Sequence, residues 1–183
     1  AGRYRVRIDD VNGGGLQNFV YRLTITDQPM VTQVFPLGGK RGERVALELS
    51  GHALPTNRVS VALPNDSATT VAVSVPLTAN FSAPIQLEVD ELPEHLHAGP
   101  VQSFAVPAIL NGRIVAPGAT NVWTFAAKKG DSLDLSVAAA RLGSALAPVL
   151  VVTDAKGTVV TKVEANPGEL NDLAATFRAP ADG

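Results

Sequence analysis

Cysteine is missing from this chain of 183 residues. Its absence excludes disulfide bridges, thiolate nucleophiles and cysteine-based zinc sites, and it fits a cytosolic protein or an exported bacterial protein that folds without bridges. Long apolar runs are missing too, since no stretch approaches the ~18 residues that a transmembrane helix needs, so no membrane span is predicted. The start of the chain lacks a charged-then-apolar signal pattern, so Ala1 is not expected to be a translation start.

An excess of charge of one sign is also absent. The sequence has 15 basic and 17 acidic residues, a formal net charge of -2, and no run of like charges. This balance predicts neither nucleic acid nor an anionic membrane as a partner. The sequence contains no nucleophile elbow of the Gly-x-Ser-x-Gly type, no His-Glu-x-x-His and no phosphate-binding glycine loop. We therefore expect a protein that is not an enzyme.

What the sequence does contain is alternation of apolar and polar residues at the period of a β-strand. Near the N-terminus the apolar positions alternate with Arg3, Arg5 and Arg7, and a glycine-rich turn at residues 12–15 divides them into two runs. The pattern predicts a β-hairpin with one wet face. The apolar positions are Tyr4, Val6, Ile8, Phe19, Tyr21, Leu23 and Ile25.

The same alternation recurs along the rest of the chain, in short runs bounded by glycine, proline, asparagine or aspartate. The runs are Val45-Leu47-Leu49, Val59-Val61-Leu63, Val71-Val73-Val75, Ile85-Leu87-Val89, Trp123-Phe125 and Leu133-Leu135-Val137. Short strands at this spacing favour β-sandwiches. The continuous apolar run at residues 149–152 predicts a strand buried on both faces, followed by a hairpin turn at residues 154–157. Only residues 138–146 could be helical, and Gly143 keeps that helix short.

The punctuation of the sequence divides it into three parts. Residues 1–28 form the predicted hairpin, and residues 29–101 have the size of a small immunoglobulin-like sandwich. Residues 102–183 have the strands of a second sandwich that lacks its closing strands. Because the hairpin resembles those closing strands, the two ends are expected to be parts of one motif. The predicted fold class is all-β, with two β-sandwich modules.

The C-terminal part resembles a known bacterial family. The motifs that carry the resemblance are Pro107-Ala108-Ile109-Leu110-Asn111-Gly112-Arg113-Ile114, Pro117-Gly118, Trp123-Thr124-Phe125, Lys129-Gly130-Asp131, Ala140-Arg141-Leu142-Gly143-Ser144, Pro148-Val149-Leu150 and Ala179-Pro180-Ala181-Asp182-Gly183. They are similar to those of the pre-peptidase C-terminal domain. The resemblance implies a jelly-roll-like sandwich appended to secreted proteins, closed by strands that resemble residues 4–10 and 19–25. Residues 29–90 resemble an immunoglobulin-like module of the transcription-factor-immunoglobulin (IPT/TIG) type.

A structural calcium ion is the strongest metal hypothesis. If the first strand of the hairpin pairs with residues 173–178, Asp9 and Asp10 come close to Asn171 and Asp172, and oxygen ligands at a strand end suit Ca²⁺. The rival interpretation is that these are ordinary solvated charges at strand ends. No other cofactor is predicted.

The histidines and Trp123 each allow two interpretations. A metal site at His95 and His97 would need His52 as a third ligand, and the rival interpretation is a pair of exposed loop histidines. Trp123, the single tryptophan, is expected in the core, the alternative being a platform for sugar stacking.

The function hypothesis that follows is a non-catalytic structural or adhesive module of a larger exported bacterial protein, extracellular or at the cell surface. Strands of the hairpin would complete the second sandwich of the same chain or of a neighbouring copy, and we favour copies joined in a tandem or fibrous array. The alternative is a carbohydrate- or polymer-binding appendage of a secreted hydrolase. Expected partners are neighbouring copies or repeats of the same protein, and extracellular polysaccharide or protein.

Overall fold

The computed structural model describes residues 2–77, 81–166 and 171–183. The regular secondary structure in these ranges consists of strands and one 3-10 turn, Ala140–Leu142, so the all-β prediction is confirmed. The 3-10 turn lies inside the only segment predicted to be helical. Gly143 ends it in the left-handed conformation, with a φ of 79°. No helix in the described ranges is long and apolar enough to cross a membrane.

The first half of the chain builds two three-stranded sheets. Their strands are β1 (Met30–Phe35), β2 (Gly38–Lys40), β3 (Arg44–His52), β4 (Arg58–Ala62), β5 (Thr70–Val73) and β6 (Ile85–Asp90). One sheet has the order β1-β3-β4 and the other β2-β6-β5. Alternate residues of β3 and β6 enter one shared hydrophobic core, as the period of the sequence predicts. The buried core residues are Leu47, Leu49, Leu63, Val75, Leu87 and Val89.

The second half builds smaller sheets. Its strands are β7 (Glu94–Leu96), β8 (Val101–Ser103), β9 (Ile109–Asn111), β10 (Val122–Thr124), β11 (Ser132–Val137), β12 (Val149–Thr153), β13 (Val159–Glu164) and β14 (Leu173–Arg178). They form two-stranded sheets: β7 with β9 and β8 with β10 in parallel, β11 with β14 and β12 with β13 antiparallel. Only Val152, Phe177 and Ala179 are buried in its core cluster. Strand β7 lies before the predicted domain boundary near residue 101, but its partner, β9, lies after that boundary.

Strand β12 corrects one prediction from the sequence. It was expected to be buried on both faces, yet Val149 is 59% and Val151 45% exposed. The reason is that β12 belongs to a two-stranded sheet, of which only one face, at Val152, meets the core. The predicted turn is confirmed: the Asp154 carboxylate accepts hydrogen bonds from the backbone N–H groups of Lys156 and Thr158.

The N-terminal hairpin is not formed within this chain. Residues 2–29 contain no strand, and they form local backbone hydrogen bonds, from the Gly13 N–H to the Asp10 carbonyl and from the Phe19 N–H to the Leu16 carbonyl. The expectation that the hairpin completes the second sandwich of the same chain is therefore not met. An isolated two-stranded hairpin is marginal in water, and no described strand pairs with this one. Pairing between copies stays a prediction.

Candidate functional site

The N-terminal segment, residues 3–25, exposes every apolar side chain of its alternating pattern. Tyr4 is 93% exposed, and even Ile8, the most covered of them, is 45% exposed. Contiguous exposed apolar surface in a soluble protein is typical of an interaction site. The segment is therefore one of the two parts of the candidate site.

The other part of the candidate site is an apolar cavity of about 790 Å³, lined by residues from both halves of the chain. The second half of the chain supplies an apolar wall that includes Trp123, Leu133, Leu135 and Leu150. These four side chains are partly buried. Leu133 and Leu135 also pack against the core cluster of Val152, Phe177 and Ala179, so the cavity borders a small core.

Strand β11 meets the cavity along its edge. All of its residues, Ser132–Val137, line the cavity. Successive side chains of a strand point to opposite faces, so a cavity under one face would contact only every second residue. Among the described strands β11 pairs only with β14, so its other backbone edge is unpaired, and the cavity runs along this strand. Such an edge offers unpaired N–H and C=O groups.

The first half of the chain supplies an acidic wall to the same cavity, formed by Glu88, Asp90 and Glu94. Burial raises the pKa of Glu94, a hydrogen bond from the Asn111 amide opposes this, and the nearby charges of Asp90 and Glu88 raise the pKa further. In the described ranges neither Asp90 nor Glu94 has a basic partner within salt-bridge distance. The wall therefore carries negative charge that is not fully compensated.

The aromatic rings at the cavity pack against one another. Trp123 lies edge to face with His97, with ring centroids 5.1 Å apart, and with Phe104, at 6.2 Å. Phe125 continues the cluster to Phe177, with centroids 5.9 Å apart. Trp123 is thus half-buried in a cluster, as expected of a core residue, and its ring does not lie open on the surface as a sugar platform would.

Two arginines of the second half hold it to the first half. The Arg141 guanidinium lies 2.6 Å from Oε1 of Glu88, and that of Arg113 lies 2.6 Å from Oε2 of Glu48. Arg113 also stacks over the Phe35 ring, 3.9 Å from its centroid. Sequence analysis missed these contacts, because nothing local to either arginine indicates its distant partner.

The residues of the calcium hypothesis have other partners in this structure. The Asp172 carboxylate accepts hydrogen bonds of 2.8 Å from the N–H groups of Ala139 and Ala140 and binds Arg141. Asp9 forms an ion pair with Arg7. Asp10 accepts hydrogen bonds from the backbone of its own turn, at Asn12 and Gly14. Asn171 directly precedes Asp172 in the chain.

No metal cluster replaces this one within residues 2–77, 81–166 and 171–183. They contain no group of three or more His, Cys, Asp or Glu side chains that could hold a metal ion, so Asp9, Asp10 and Asp172 do not form one within a single chain. The histidines do not form one either. His97 stacks on Trp123, and its buried Nε2 has no hydrogen-bond partner among the described residues.

Comparison with known proteins leaves the resemblance noted in the sequence as a hypothesis. No protein-family model, curated protein or solved structure matches the chain.

Proposed function

We propose that this protein is a non-catalytic structural or adhesive module of a larger exported bacterial protein, and that copies join by strand complementation into a tandem or fibrous array. One observation carries the proposal. The N-terminal segment has the alternation of a β-strand and exposes its apolar side chains, while the second half of the same chain has an apolar cavity beside a strand, β11, that pairs on one edge only among the described strands. Addition of the segment as a strand to an unpaired edge would bury the apolar side chains of the segment and pair the free backbone groups of the edge.

The geometry of such an array follows from the position of its two complementary surfaces. The donor segment and the edge of β11 are different surfaces of one molecule, so contacts between copies run head to tail. Head-to-tail contacts that do not close on themselves propagate. The extracellular or cell-surface location belongs to the same proposal and rests on the resemblance to domains of secreted proteins.

The decisive experiment compares the size of the protein with and without an apolar donor strand. Tyr4, Val6 and Ile8 are replaced together by Asp, and both proteins are followed by light scattering and sedimentation over a range of concentrations. The unmodified protein should form species whose mass grows with concentration, and the variant should stay monomeric with the same circular dichroism. A matched control replaces the exposed residues Val11, Leu16 and Val20, which lie outside the alternating pattern, by Asp and should still assemble. A strictly monomeric unmodified protein would refute the proposal.

Binding of a carbohydrate or another polymer remains the second candidate. It has less support, because the rings of Trp123 and Phe104 pack edge to face within a cluster. Affinity electrophoresis in gels that contain soluble polysaccharides tests it: retardation that a Trp123→Ala change abolishes would favour it. A screen of peptide, ester and glycoside substrates tests the non-catalytic assignment, and we expect no turnover.

A further inference from the structure

The cavity beside β11 has two unlike walls. The apolar wall includes Leu133 and Leu135, and the acidic wall consists of Glu88, Asp90 and Glu94. A binding partner that fits both walls must be apolar on one side and basic on the other. An extended β-strand in which apolar and basic residues alternate has this character, because successive side chains point in opposite directions.

Such a strand is present in this chain. In residues 3–8, arginines alternate with Tyr4, Val6 and Ile8. This run has the same length as β11, which has 6 residues, so the two strands match end to end over about 20 Å. In this structure the apolar face of the run is exposed, and Arg7 forms a local ion pair with Asp9.

We propose that the cavity takes residues 3–8 of a second copy as an added strand on the free edge of β11. Tyr4, Val6 and Ile8 then lie beside the leucines of the apolar wall, and the arginines face Asp90 and Glu94, because Glu88 already pairs with Arg141. This inference rests on the proposed function and specifies the acceptor: the strand adds to β11, not to β14 as the pairing with residues 173–178 would require. The three elements that support it are the unpaired edge, the complementary charge and the apolar wall.

The test uses the full chain with Tyr4, Val6 and Ile8 replaced by Asp as the acceptor, because its own donor strand is disabled. The probe is a synthetic peptide of residues 3–10. Trp123 is the only tryptophan of the protein and lines the cavity, so its emission reports on the site directly. We expect a saturable change in Trp123 emission, with an affinity that falls as salt is added, because charges at the rim of an interface are screened.

Two variants of this acceptor locate the binding site. Asp90→Asn with Glu94→Gln removes charge from the acidic wall while it retains hydrogen-bonding groups, and should weaken the peptide about tenfold or more. Glu164→Gln removes an exposed charge outside the cavity and should leave the affinity unchanged. A peptide of the same composition in scrambled order should not bind.

The other outcomes separate this inference from the function on which it rests. If the unmodified protein assembles but the peptide leaves Trp123 unchanged, or the wall variant binds as tightly as the acceptor, the site lies elsewhere and only the inference fails. Equal binding of the scrambled peptide would mean a generic apolar groove and would also overturn it. If the unmodified protein is a monomer whose Trp123 emission already matches that of the peptide-bound acceptor, the strand closes on its own chain, and a second copy is not the occupant. A strictly monomeric unmodified protein, with or without that emission, refutes the proposed function itself.

Discussion

The carboxylate of Asp172 forms an ion pair with the guanidinium of Arg141, whose Nη1 lies 2.7 Å from Oδ2 of Asp172. The same carboxylate accepts hydrogen bonds from the N–H groups of Ala139 and Ala140, where the 3-10 turn begins. Asp172 thus fixes the turn that carries Arg141, and Arg141 reaches Glu88 in the first half of the chain. One carboxylate therefore supports a turn and, through it, the junction between the two halves.

Replacing Asp172 with Ala should destabilise the protein by about 1–3 kcal/mol, because it leaves backbone N–H groups and a guanidinium without their acceptor. The test measures the free energy of unfolding by urea denaturation. It compares the variant with Asp at positions 4, 6 and 8, which is expected not to assemble, with the same variant carrying Asp172→Ala. The matched control is Asp134→Ala, which removes an exposed carboxylate that accepts a hydrogen bond from the hydroxyl of Thr176. Equal losses in the two variants would show that Asp172 has no special role.

The pH dependence of this effect follows from the state of the carboxylate. Burial of Asp172 opposes ionisation, but the hydrogen bonds from Ala139, Arg141 and Ala140 together hold its pKa below the usual range. A carboxylate with a lowered pKa in the folded state stabilises the protein above its unfolded pKa of about 3.9, and the contribution is lost as pH falls further through the folded pKa. The difference in free energy of unfolding between the protein with Asp172 and its Asp172→Asn variant should therefore be largest at neutral pH and shrink below about pH 4. A gap independent of pH would contradict this.

Glu94 should show the opposite pH dependence. Its pKa is raised, chiefly by burial, so the charged form costs stability at neutral pH, and the protein gains stability as pH falls through the folded pKa towards the unfolded one, about 4.3. Glu94→Gln keeps an oxygen for the Asn111 amide and removes the charge. It should raise the melting temperature at neutral pH and lose this advantage near pH 4. Thermal melts of a non-assembling background check the prediction, with the exposed Glu164→Gln as control.

Calcium should stabilise only the assembled protein, if it binds at Asp9, Asp10, Asn171 and Asp172. Within one chain these carboxylates are occupied by protein donors, so the monomer should melt equally with calcium and with chelator. Pairing of a neighbour's first strand with β14, the alternative to docking on β11, would bring Asp9 and Asp10 to Asp172, and calcium bound there would raise the melting temperature by mass action. Equal melting curves for the assembled protein as well would count against any calcium site.

The sequence predicts strands from a local pattern, and two segments with equal alternation show the limit of such predictions. Val45, Leu47 and Leu49 alternate in β3 and pack into the core as predicted. Tyr4, Val6 and Ile8 alternate equally well but form no strand. Alternation specifies which side chains share a face, whereas a strand also needs a neighbour to accept its hydrogen bonds.

The site was predicted only in part for a related reason. The donor segment is visible as a pattern, but the acidic wall and the edge of β11 come together through the fold. Arg141 contacts Glu88 at a separation of 53 residues and Asp172 at 31, and no motif around any of them indicates the partner. Contacts at such distances are decided by topology, which periodicity does not encode.

The free edge of β11 has a consequence for how long such an array grows. In the proposed array each copy would carry one donor strand and one acceptor edge, so growth would be a linear step polymerisation whose mean length depends on the balance between donors and acceptors. A copy with Asp at positions 4, 6 and 8 accepts a strand but cannot donate one, and it acts as a chain stopper. Small admixtures of such copies would therefore shorten the polymers in proportion to their number, without unfolding a single molecule.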